Sequence, residues 1–152
     1  MNSDHSPGMT IIVKTVTRLT AWLILLYGIH IILHGHVSVG GGFAGGVIVA
    51  LSFIHLMLAY GKEMVFKRIS KRRISVWATV GALMFLAIAL AGWTDGYFFR
   101  NFLPPEQPFH LFSAGTIPLG DIAISLVVWA GLFAVFVALV MLRPDGEDKN
   151  EP

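Results

Sequence analysis

The stretch HGHVSVGGGFAGG, residues His34 to Gly46, decides how the rest of the chain is read. It joins two apolar runs and holds six of the sixteen glycines, five of them between Gly40 and Gly46. Gly41 and Gly45 form one G-x-x-x-G pair, Gly42 and Gly46 a second, and Ala50 continues the second row. Residues four apart lie on one side of a helix, so these positions make a smooth stripe that a second helix can approach closely. The expectation is a polar, backbone-rich turn leading into a helix built for tight packing. Gly40, Gly42 and Gly45 also spell G-x-G-x-x-G, but a dinucleotide loop needs a strand before it and an acidic residue about 20 positions after it. An apolar helical run precedes this turn, and Tyr60 to Lys62 supply no acid. Gly46 is followed by Val47, which excludes a phosphate loop of the Gly-Lys-Ser/Thr kind.

Of 152 residues, 55% are hydrophobic and 13% charged, against about 25% charged in a soluble domain. With a mean hydropathy of +0.72, the chain reads as an all-α integral membrane protein. It has no cysteine, which removes disulfides, thiol nucleophiles, zinc–thiolate sites and iron–sulfur clusters. The first apolar run is followed by Gly-His-Gly-His rather than a small-residue cleavage site, so it is expected to stay as a membrane anchor.

A hydrocarbon core of about 30 Å needs roughly 20 residues of helix. Four runs meet that: Thr17–His34, Phe43–Tyr60, Val76–Trp93 and Leu119–Leu142. Residues 1–13 and 143–152 are read as polar tails, and 14–142 as a four-helix transmembrane domain. Lys14 and Arg18 precede the first span. Lys62, Lys67, Arg68, Lys71, Arg72 and Arg73 lie between the second and third, and Arg143 and Lys149 follow the fourth. Those are ten of the eleven basic residues, and four spans put all of them on one face, with Arg100 alone on the other. Basic loops stay inside, so both termini are predicted to be cytoplasmic. The basic loop is read as topogenic and lipid-facing, not as a nucleic-acid patch. Reporter fusions after residue 68 and after residue 105 are expected to report opposite sides of the membrane; the same side for both would remove the four-span plan.

Ionisable groups inside a span each need a reason. His30 and His34 are four apart and share a helical face, and His36 follows at the outer end. His55 lies roughly 18 Å below Phe43 at about 1.5 Å rise per residue. Asp121 enters the first turn of the fourth span. Together Asp121, His34, His36, His55 and His30 are candidates for an ion or proton path, because histidine exchanges protons near neutral pH. Plainer readings stand beside that one. Asp121 can complement the positive N-terminus of its own helix. His34 and His36 can be interfacial, and His55 can donate to a neighbouring subunit's backbone. The His30/His34 pair has no carboxylate or third ligand nearby in sequence, so no metal and no cofactor is expected. A haem held by His30 and His55 is disfavoured, since they differ by roughly 10 Å in height. There is no nucleophile–base–acid set and no paired carboxylate, so no catalytic residue is assigned. Gly41, Gly42, Gly45, Gly46 and Ala50 are assigned to helix packing, and four such apolar helices look like one piece of a larger assembly.

Gly35-His36 followed by Gly40-Gly41-Gly42-Phe43-Ala44-Gly45-Gly46 resembles the glycine-rich signature of the MnhB/MrpB family. Thr116-Ile117-Pro118-Leu119-Gly120-Asp121-Ile122 resembles its second signature, just before the last helix. The resemblance covers roughly residues 12–142. Val39 stands where the family usually has proline, and a turn without that fixed φ is less rigid. The resemblance implies a small prokaryotic cell-membrane subunit of a multi-subunit Mrp-type sodium/proton antiporter. It would sit beside larger antiporter subunits, with Na+ and H+ as the transported ions. It equally admits the same module inside a membrane-bound hydrogenase or related respiratory complex.

Overall fold

The structure is a computed structural model that describes residues 10–37, 40–61, 70–103 and 114–142. Val39, residues 62–69 of the basic loop, residues 104–113 and most of both tails lie outside the described residues. Four α-helices follow one another: α1 (Ile11–Leu33), α2 (Gly41–Tyr60), α3 (Lys71–Ala91) and α4 (Ile117–Leu142). A short 3-10 turn, Gly92–Asp95, continues α3. No strand occurs among the described residues. All four helices are long and apolar enough to cross a membrane.

All four helices start earlier than the apolar runs do, α2 and α4 by two residues and α1 and α3 by more. α1 begins at Ile11 rather than Thr17, and α3 at Lys71 rather than Val76. Hydropathy marks where side chains leave water, but each residue added to a nucleated helix gains a backbone bond whatever its polarity. Within the spans, hydroxyl groups turn back on their own helices. Thr15 donates to the Ile11 carbonyl at 3.0 Å, Thr20 to Val16 at 2.9 Å, Ser52 to Val49 at 2.9 Å and Ser125 to Ile122 at 2.8 Å. That satisfies a polar group where no water is available.

Helix α1 packs on α2, α2 on α4 and α4 on α3, giving the spatial order α1–α2–α4–α3 with a lesser contact of α1 on α4. The Tyr60 hydroxyl donates to the Lys14 carbonyl at 3.3 Å, tying the end of α2 to the start of α1, so the two run antiparallel. Close approach is made at small residues. A Cβ on Gly45 would press on Ile32 and the Gly28 carbonyl of α1, and one on Gly46 would lie 2.8 Å from the Ser125 carbonyl of α4. One on Gly81 of α3 would lie 2.9 Å from the Ala123 carbonyl of α4. Where α2, α3 and α4 meet, Met57, Ile74, Ala130, Phe133 and Val137 form a buried cluster, with the Phe53 and Trp129 rings tilted against each other at its edge, centroids 5.4 Å apart. Between lipid-like helices it is such van der Waals contact, and not expulsion of water, that holds the bundle.

Candidate functional site

The two glycine-bearing signatures meet at the first turn of α2. The chain enters that helix through Gly40 (φ 134°) and Gly41 (φ 50°), conformations that side chains resist and glycine accepts. Gly40 has no side chain to cap the helix, and the first N–H groups of any helix lack an internal partner. Asp121 supplies one. Its Oδ1 accepts from the Gly42 N–H at 2.9 Å, across 79 residues of sequence. Gly42 is the second residue of α2, a position that an N-cap side chain normally serves. The cap here comes from a different helix.

Glycines surround this carboxylate. A Cβ on Gly41 would lie 2.9 Å from Asp121 Oδ1, and one on Gly35 would overlap Oδ2. At Gly42 a Cβ would overlap the Asp121 backbone, so α2 and α4 touch there main chain to main chain. The row Gly42, Gly46 and Ala50 thus runs along α4 on a face where all three are buried, while Gly45 turns to α1.

Asp121 does not occupy the place expected from sequence. It is the fifth residue of α4, beyond the first turn, which holds no acidic residue. The positive helix end that it complements belongs to α2, because α4 passes beside the opening of α2 just where Asp121 lies. Dipole and hydrogen bond therefore act between two helices rather than within one.

The histidines separate. His30 and His34 are both exposed, with ring centroids 4.2 Å apart, and His34 Nδ1 donates to the His30 carbonyl at 3.1 Å. His36, next to Gly35, is half-buried, and its Nδ1 is buried without a hydrogen-bond partner among the described residues. His55 is half-buried far down α2, roughly 21 Å below Gly41. Gly35, which separates His34 from His36 in the turn, comes against the Asp121 carboxylate, while His55 lies far down α2. His30 is only three residues from the end of α1, so it differs from His55 by about 16 Å in height, and one haem iron does not reach both. No group of three His, Asp or Glu side chains comes together among the described residues.

Two residues of the site were not singled out from sequence as contacts. Gly35 touches the carboxylate, and its only signal was its place beside His36 in the first signature. Gly28 lets α1 approach α2, where its Cβ would lie 2.9 Å from Val49; a single glycine inside an apolar run was that signal. Chemically, Asp121 is a carboxylate with lone pairs beyond the one used by Gly42, able to accept a proton or a cation.

The model of a family described as a domain related to the MnhB subunit of Na+/H+ antiporter matches residues 12–134. A Na(+)/H(+) antiporter subunit of Bacillus subtilis is 31% identical over 141 residues, covering 91% of this chain and 94% of that protein. An uncharacterized protein of Methanocaldococcus jannaschii is 32% identical over 130 residues, 81% of this chain but 49% of that one. This chain thus spans about half the length of the archaeal relative and nearly all of the Bacillus one. Among solved structures, a chain of the membrane-bound sulfane sulfur reductase, an archaeal respiratory membrane complex, superposes with a TM-score of 0.75 at 26% identity. The match covers 88% of this chain and 59% of that one.

Proposed function

This chain belongs to the family of the MnhB subunit of Na+/H+ antiporters, and from that premise we propose that it is a small membrane subunit of a multi-subunit Mrp-type sodium/proton antiporter. It is an all-α, multi-pass protein of a prokaryotic cell membrane. The observation that carries the reading is the near end-to-end match to the antiporter subunit of Bacillus subtilis. Within the chain, the two signatures close on one another at the Asp121–Gly42 contact. Its role is structural first: Asp121 and the glycine row fasten α2 to α4, and the largely exposed apolar sides of α1 and α3 are left to lipid and other membrane subunits. We further propose that Asp121, with His36 next to Gly35 in the adjoining turn, forms the outer end of a hydrated path for the coupling ion or proton. A carboxylate within a span is tolerated where protein or water lines it, and not against lipid.

A second reading is supported by the likeness to a chain of an archaeal respiratory membrane complex. In it the same module is built into a redox-driven assembly of hydrogenase type. Purifying the tagged chain from its native membranes and identifying the co-purifying chains separates the two. The expected result is a set of antiporter subunits without a redox subunit. Recovery of a nickel–iron or sulfur-reducing subunit in constant ratio would move the chain to the second reading.

A further inference from the structure

We propose that the N-terminal end of α3 is a binding site for an anionic phospholipid, with the phosphate held by Arg72, Arg73 and Ser70 and an acyl chain laid along Val76, Val80 and Leu83. Ser70, Arg72, Arg73, Val76 and Trp77 line an open recess of about 520 Å³ on the surface. Its lining thus joins two arginines and a serine to two apolar residues, Val76 and Trp77. Arg72 and Arg73 stand at the start of the stretch of α3 that is long and apolar enough to cross a membrane, the place where a span meets the headgroups.

Three features select the ligand. Guanidinium groups pair with phosphate by two parallel hydrogen bonds, and an arginine at a span end extends toward the headgroups. The start of α3 adds to this: Ser70 makes no side-chain cap bond, and the first backbone N–H groups of a helix favour an anion. Below the recess, Val76, Val80 and Leu83 fall at i, i+4 and i+7 on one side of α3, and they are 51%, 42% and 59% exposed. Trp77 stands beside that strip, braced edge-on by Trp129 with centroids 6.4 Å apart. Free phosphate would use the arginines and leave the apolar strip unused. A zwitterionic lipid would use the strip and bring a cation to the arginines. An anionic phospholipid matches both.

The test takes the full chain with Trp22, Trp93 and Trp129 changed to phenylalanine, so that Trp77 is the sole reporter. The chain is placed in phosphatidylcholine vesicles holding a minor fraction of brominated phosphatidylglycerol, or the same fraction of brominated phosphatidylcholine. Each arginine near an anionic lipid is worth about a fivefold change in binding. The brominated anionic lipid is therefore expected to reach half-maximal quenching at a many-fold lower fraction than the zwitterionic one. That preference should be lost in Arg72→Gln/Arg73→Gln, kept in Arg72→Lys/Arg73→Lys and unchanged in Arg100→Gln. Equal quenching by the two lipids overturns the proposal, and that comparison needs no arginine variant to fold. So does an unchanged preference in the glutamine pair, or relief of quenching by inorganic phosphate alone.

Discussion

Replacing Gly42 by alanine is expected to separate α2 from α4 and to remove most of the assembled complex from the membrane. The new Cβ would overlap the Asp121 carbonyl and stand 2.7 Å from the Asp121 Cα, closer than real contacts allow. Backbone atoms cannot swing aside as a flexible side chain does, so a helix must move. Overfilling of this kind costs about 1–3 kcal/mol. The movement also stretches the 2.9 Å bond from the Gly42 N–H to Asp121, and a hydrogen bond to a charged group contributes about 1.5–3 kcal/mol. Gly46→Leu should act in the same direction against Ser125 and Val128. Gly131→Ala is the control: it lies on the exposed side of α4 with nothing within 4 Å of the new atom. Thermal unfolding of the full chain in detergent, with native gels of the complex, checks this. Equal stability of Gly42→Ala and Gly131→Ala would mean that α2 and α4 do not meet in the membrane.

The second large effect is expected at Asp121, where one substitution separates cap from charge. Asparagine keeps an oxygen for the Gly42 N–H and is itself a good capping residue. Asp121→Asn should therefore assemble, and under the proposed path it should lose most sodium-dependent proton movement. A contact to a charged group is worth about 1.5–3 kcal/mol, so flux should fall roughly tenfold or more. Asp121→Ala removes the cap as well, and should add a loss of about 1 kcal/mol in stability. Proton flux into everted vesicles, matched for assembled complex, gives the reading. Normal flux in both Asp121→Asn and His36→Ala would remove the path and leave Asp121 as a helix fastener.

Much of this molecule was legible in one dimension, and the reason is the solvent. A bilayer demands runs of about 20 apolar residues with every backbone group satisfied inside the helix, so the four spans show as hydropathy alone. Small residues four apart mark where backbones approach, and Gly42, Gly46 and Ala50 are buried. The signatures at Gly35–Gly46 and Thr116–Ile122 were sufficient to suggest the family, which the match over residues 12–134 establishes.

What the sequence could not assign is which neighbour each group serves. Asp121 near the start of a helix looks the same in sequence whether it supports that helix or one 79 residues away. Its partner follows from α4 lying between α2 and α3, an order that chain sequence does not state. His30 and His34 share a face by spacing, yet only the rotation of α1 against α2, set by Gly28 and Gly45, decides that this face is the exposed one. Spacing along a helix is local geometry and is written in the sequence. The azimuth of one helix against another is a balance of contacts from distant segments, and only the packed bundle fixes it.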